Sequence, residues 1–74
     1  MTTLTPTEII ANAHTLIEDA PSLTMLSVVQ DEARGVLIAL LHLGTIPLTT
    51  YLDECQAIRH LAGKRRTQLS VDKP

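Results

Sequence analysis

Few residue pairs in this 74-residue chain have the types and spacing that metal or catalytic chemistry requires. His14 and Glu18 are spaced i, i+4, so on a helix both side chains could face one ligand, as paired metal ligands do. Two ligands do not complete a metal site, and His14 lies beside Ile10 and Ile17, where a boundary histidine is ordinary. We therefore expect neither a metal ion nor any other cofactor.

The remaining reactive side chains do not form a catalytic pair. Cys55 and His60 are five residues apart and do not share a helix face, so the thiol lacks a local base. Asp53 and Glu54 are adjacent and point in different directions on a helix, which does not suit paired acid–base catalysis. The chain has no glycine-rich phosphate loop, no serine elbow and no zinc signature. We predict that the protein is not an enzyme.

The elements that position these residues are helices, because apolar residues recur at three- and four-residue intervals. A capping box at Thr5-Pro6-Thr7-Glu8 marks the first helix start, while Gly44 and Gly63 are placed to end the second and third helices. The predicted helices are Pro6 to Ala20, Leu23 to Leu43 and Leu48 to Ala62. The fold class is therefore all-α, either a three-helix antiparallel bundle or a helical hairpin plus a helix, and we expect dimerisation to complete it.

The domain organisation follows from where this periodicity holds. Residues 1–5 form a lead-in, residues 6–63 form a single helical domain, and residues 64–74 form a basic flexible tail. A chain of this size buries only about 60 per cent of its unfolded surface, so its stability as a monomer is marginal. The single cysteine excludes an internal disulfide, which leaves oligomerisation as the expected stabilising device.

The second helix is the predicted place of association. A heptad pattern of apolar residues passes along it at Leu26, Val29, Ala33, Val36, Leu40 and Leu43. After Gly35 the helix is apolar all round, and such a surface must be covered all round. Gly35 either lets another helix approach closely or breaks the helix, and the sequence does not select between these alternatives.

Two neighbouring helices cover only part of that surface, so we predict that the rest meets a second copy or another partner. The alternative is that the second helix is simply the buried helix of the bundle. The predicted association residues are Val36, Leu37, Ile38, Leu41 and Tyr51.

The formal net charge of −2 conceals an acidic body and a basic end. Seven carboxylates and one arginine precede Arg59, a net charge of −6, whereas the segment from Arg59 onwards has a net charge of +4. The predicted electrostatic contacts are Arg59, Lys64, Arg65 and Arg66. Alternatively these cations are a solvated helix end, or they lie against the acidic body of a second copy.

These features favour a non-enzymatic adaptor or inhibitor that binds another protein, a type common among small accessory proteins of phages and plasmids. The alternative is a small nucleic-acid-binding transcriptional regulator that uses the basic tail. We do not expect nucleic acid as a partner, because an acidic body repels phosphate and a helix-turn-helix here would place Asp53 and Glu54 against the DNA backbone. The apolar stretch from Val36 to Leu48 is too short for a membrane span. The unpaired Cys55 suggests the cytoplasm.

Overall fold

A computed structural model describes residues 4–71, which form three α-helices joined by short connections. Helix α1 comprises Pro6–Glu18, α2 comprises Leu23–His42 and α3 comprises Leu48–Val71. Each helix contacts both of the others, and this part of the chain contains no strand. The predicted all-α class is therefore confirmed, with the three helices packed as one compact unit.

The helix starts were predictable because they depend on neighbouring residues. The amide of Thr5 donates to Glu8 Oε1 at 3.1 Å and the amide of Glu8 donates to Thr5 Oγ1 at 3.2 Å, which completes the capping box of α1. The bond from the Thr5 amide is the main reason that the pKa of Glu8 is lowered from its ordinary value. At the start of α2, the Met25 amide donates to the hydroxyl of Ser22 at 3.1 Å.

The turn between α2 and α3 is a Schellman motif centred on Gly44. Gly44 has φ of 70°, a conformation that a residue with a Cβ adopts only at a cost. Its amide donates to the Leu41 carbonyl at 3.0 Å, and the Thr45 amide donates to the Leu40 carbonyl at 2.9 Å. The next residue, Ile46, is buried in the core, so the turn is fixed to the bundle as well as closed on itself.

Helix α3 differs from the prediction because it continues past Gly63 to Val71. Gly63 does not have the positive φ that ends a helix, and its carbonyl accepts a hydrogen bond from Thr67 Oγ1 at 3.1 Å. Beyond it, Arg65 is hydrogen-bonded to Ala20 and Leu69 packs against the core. These tertiary contacts offset the low helix propensity of glycine, so residues 64–71 are helical instead of a flexible tail. Residues 72–74 of the predicted tail lie outside the described residues.

The core is small, and every buried residue in it is apolar. It contains Ile17, Ala20, Leu26, Val29, Ala33, Leu37, Leu40, Ile46, Ile58 and Ala62. Along α2 the buried positions advance by three, four, four and three residues, so they differ from the predicted heptad at Leu37, which is buried in place of Val36, and coincide with it again at Leu40. A straight helix drifts about 20° per heptad, which carries the buried stripe away from Val36 and leaves Leu43 78% exposed.

The contacts between α1 and α3 define the direction of packing. His14 Nε2 lies 2.9 Å from Glu54 Oε1, and Arg65 Nε donates to the Ala20 carbonyl at 2.9 Å. Residue numbers therefore rise together along these two helices, which makes them parallel. The short connections require α2 to run in the opposite direction to both.

Helix α2 is continuous through Gly35. No side chain or neighbouring helix lies within 4 Å of the position that a Cβ on Gly35 would occupy. The glycine therefore neither breaks the helix nor allows another helix of this chain to approach closely.

Candidate functional site

The apolar residues predicted for association point in different directions. Leu37 is only 1% exposed and fills the core, so the expectation that it is left over for an interface is corrected. Val36 is half-buried beside α1, whereas Ile38 is 45% exposed to solvent. Consecutive residues on an α-helix are about 100° apart, so these three neighbours cannot share one face.

Helices α2 and α3 leave a groove between them with a volume of about 340 Å³. We call it the α2/α3 groove. Its lining residues are Gln30, Arg34, Tyr51, Leu52, Cys55, Ile58 and Arg59. The predicted residues Tyr51 and Arg59 thus lie in one groove.

Each end of the α2/α3 groove is extended by residues on the same helix faces. Ile38 follows Arg34 by one turn of α2, and Leu48 precedes Leu52 by one turn of α3. At the opposite end, Arg66 Nη2 donates to Gln30 Oε1 at 3.4 Å. The groove is therefore apolar near the α2–α3 turn and cationic further along.

Tyr51 is half-buried and packs against the core, as does Leu41. Its hydroxyl interacts with the Cys55 thiol one turn further along, which raises the pKa of Tyr51, while the Arg34 guanidinium lowers it by less. The phenol is therefore protonated at neutral pH and can donate a hydrogen bond. It cannot act there as the base that a catalytic thiol needs.

The predicted basic cluster is divided around α3. Arg65 is half-buried, and its Nε donates to the Ala20 carbonyl at 2.9 Å while its Nη1 donates to Gln68 Oε1 at 3.1 Å. Its guanidinium therefore holds the end of α1 against α3. Lys64 and Arg65 both line a depression with Glu18 and Asp19 at the carboxyl end of α1, whereas Arg66 reaches Gln30 on α2. The three cations therefore do not form one patch, because Arg66 faces away from Lys64 and Arg65.

A second groove lies between α1 and α2, on the other side of α2. It has a volume of about 200 Å³ and we call it the α1/α2 groove. Its lining residues are Leu4, Ile9, Asn12, Ala13, Leu16, Val29, Glu32, Ala33 and Val36. Val36 is the one predicted association residue found there, and it is separated from Ile38 by the width of the helix.

His14 lies against a different carboxylate from the one that the sequence indicated. Its Nε2 is 2.9 Å from Glu54 Oε1 on α3, so it joins α1 to α3 instead of facing a ligand with Glu18. Asp53 is exposed while Glu54 is half-buried, as expected for adjacent residues on a helix. Within residues 4–71 no group of three or more His, Cys, Asp or Glu side chains is placed to hold a metal ion.

Sequence reasoning missed three residues that lie along the α2/α3 groove. The spacing of Leu48 and Leu52 with Cys55 and Ile58 is typical of a buried helix stripe, but both leucines are exposed. The sequence places Arg34 on the polar face of α2, three residues after Asp31, yet Arg34 lines the groove. The spacing of Leu48, Leu52 and Arg59 at intervals of four and seven residues was the available signal, because it places them on one face of α3.

Comparisons with protein-family models, curated proteins and solved structures found no match for this chain. Among the described helices, none combines the length and apolar character that crossing a membrane requires.

Proposed function

We propose that this chain is a non-enzymatic protein-interaction module, a small adaptor or inhibitor that covers a surface of another protein. The observation that carries the proposal is the α2/α3 groove, where the exposed Ile38 and Leu52 lie near Arg34 and Arg59. Exposed aliphatic side chains next to arginine are typical of protein-binding surfaces, where arginine is enriched and apolar side chains form the centre. The side chains of the groove are suited to binding and orienting a partner. They do not pair a nucleophile with a base.

The nucleic-acid-binding alternative receives less support from the arrangement of the basic residues. Because residues 64–66 are helical, each successive side chain leaves α3 about 100° round from the one before, so the three span about 200°. Arg65 is also engaged with the Ala20 carbonyl inside the bundle. A phosphate backbone needs several cations along one face, and these three do not form one.

A homodimer belongs to the same proposal, with the α1/α2 groove as its interface. The lining of that groove is mostly aliphatic, and a two-fold interface must be complementary to itself. Aliphatic side chains meet this condition, whereas the arginines of the α2/α3 groove would repel their own copies. The expected compartment is the cytoplasm, because Cys55 is a free thiol.

The protein-binding function is tested by capture of partners with the tagged full-length chain from its native cells. Ile38→Asp places a carboxylate beside the α2/α3 groove and is expected to abolish recovery of a partner that the wild-type chain retains. Val28→Asp is the matched control, since Val28 is also a β-branched residue on α2 and is 43% exposed, close to the 45% of Ile38. Circular dichroism checks that both variants are folded.

Two results would contradict the proposal. Recovery of no protein by the wild-type chain under mild crosslinking argues against a protein-binding module. Recovery of the same partner by Ile38→Asp and by wild type places the binding surface elsewhere on the bundle.

A further inference from the structure

We propose that the α2/α3 groove binds an amphipathic helix with acidic residues, supplied by a partner protein. This inference rests on the protein-interaction function proposed above and adds the chemistry of the partner. Apolar residues of the incoming helix would pack on Ile38 and Leu52, and its carboxylates would lie against Arg34 and Arg59.

The charge of the partner follows from arginines that have no carboxylate partner among residues 4–71. Arg34 and Arg59 line the same groove, and Arg66 extends the row towards Gln30. Over residues 4–71 the one pair within salt-bridge distance is His14 with Glu54, so none of these three arginines is paired with a carboxylate from this part of the chain. Guanidinium groups aligned along a groove favour a ligand with negative charge and a planar acceptor such as a carboxylate.

The apolar end of the groove distinguishes a protein helix from a nucleic acid. Ile38, Leu48 and Leu52 are all exposed near the α2–α3 turn. A phosphate backbone would use the arginines and leave these side chains in water, whereas an amphipathic helix buries them.

The dimensions of the surface suit one helix. From Leu48 to Arg66 helix α3 rises by about 27 Å, the length of about 18 helical residues at 1.5 Å each. Two neighbouring antiparallel helices present a groove into which the side-chain ridge of a third helix fits. The bound helix should therefore have aliphatic residues at three- and four-residue spacing towards one end and acidic residues about two turns away.

The inference is tested with a displayed library of 18-residue, side-chain-stapled helical peptides, selected against the immobilised full-length chain. One face of the library is randomised among Leu, Ala, Ser, Glu and Lys. Enriched peptides are expected to combine Leu at one end with Glu about two turns away. The peptide with the highest affinity is then synthesised and titrated against purified variants in solution.

The variants separate a local contact from a general effect of charge. Arg34→Ala and Arg59→Ala are each expected to weaken binding of the acidic peptide about tenfold, as loss of a close charge pair does. Lys64→Ala is the matched control, since it removes one positive charge outside the groove and should change affinity less than about twofold. Affinity should also fall as salt is raised from low to moderate concentration.

Several outcomes overturn the inference. Enrichment of uncharged or lysine-rich peptides contradicts the acidic partner, and equal loss of affinity in Lys64→Ala contradicts its place in the groove. If instead duplex DNA or RNA binds with a dependence on Arg34 and Arg59, the groove is assigned to nucleic acid. Absence of any enriched peptide rules out a helical ligand, while partner capture that depends on Ile38 would still support the broader protein-binding function.

Discussion

At the scale of single residues, three consecutive cations have three different roles. Lys64 lies near the acidic end of α1, Arg65 is hydrogen-bonded to the Ala20 carbonyl, and Arg66 reaches Gln30 on α2. Side chains separated by 100° on a helix meet different neighbours, so a cluster in sequence need not be a cluster in space. Of these residues, Arg65 contributes most directly to the fold.

Arg65→Ala is expected to lower the free energy of unfolding by about 1–2 kcal/mol, because it removes a charged donor from the Ala20 carbonyl, two residues after the end of α1. Arg66→Ala removes the same charge from an exposed contact at 3.4 Å and should change stability by less than about 0.5 kcal/mol. Urea unfolding followed by circular dichroism measures both values. Equal effects in the two variants would show that Arg65 acts through net charge and not through its bond to Ala20.

At the scale of helices, the sequence predicts what depends on near neighbours. The capping box at Thr5 and Glu8 and the left-handed Gly44 occur where the pattern indicates, because each motif closes within a few residues. The groove residues are less predictable. Whether Leu52 or Tyr51 faces the core depends on the angle at which α3 lies against α2, and that angle is set by residues far apart in sequence.

The end of α3 illustrates the same limit. Glycine followed by three cations is typical of a helix end, yet α3 continues for two further turns. Two contacts extend the helix. The hydrogen bond from Arg65 to Ala20 joins positions more than 40 residues apart, and the packing of Leu69 against the core exists only in the folded bundle. Local propensity is therefore overridden by tertiary contacts at this position.

Gly63→Ala is expected to stabilise the protein by about 0.5–1 kcal/mol, since alanine has the higher helix propensity. A Cβ at this position would meet no atom within 4 Å outside its own helix turn, so no clash offsets the gain. Gly44→Ala should do the opposite and destabilise by about 1 kcal/mol, because its φ of 70° is unfavourable for alanine. The readout is the thermal midpoint, which should shift by about 4–8 °C per kcal/mol.

A fall in the midpoint for Gly63→Ala, or no change, would contradict a helix that is continuous through residue 63. Glycine would then be required there for a helix end, and residues 64–71 would behave as the tail that the sequence suggested.

At the scale of the whole molecule, residues 4–71 leave much of their aliphatic content uncovered. The ten buried apolar residues are matched by ten large apolar side chains that are exposed. Scattered exposed leucines are ordinary, but here several of them adjoin two grooves on opposite sides of α2. One groove is mostly aliphatic and the other is edged with arginines, so the two sides suit different partners.

Self-association through the α1/α2 groove predicts that sedimentation equilibrium of the wild-type chain gives about twice the monomer mass of 8.1 kDa at sufficient concentration. Leu16→Asp is expected to restore the monomer, since Leu16 lines this groove and is 52% exposed in the single chain. Because Leu16 is already half-buried in the single chain, a two-fold dimer loses about half of a full leucine burial twice, about 0.8–1.5 kcal/mol each, so the dissociation constant should rise at least about tenfold.

Ile38→Asp completes the comparison, because it places the same charge on the opposite side of α2 from the α1/α2 groove and should leave the dimer intact. A wild-type chain that remains at monomer mass up to millimolar concentration would exclude the dimer. If Ile38→Asp dissociates it while Leu16→Asp does not, the two-fold interface lies at the α2/α3 groove. Self-association would then compete with the acidic helix for the same surface. In such a dimer the arginines of the two copies would repel each other across the interface. Because salt screens this repulsion, the dimer would become stronger as the salt concentration is raised.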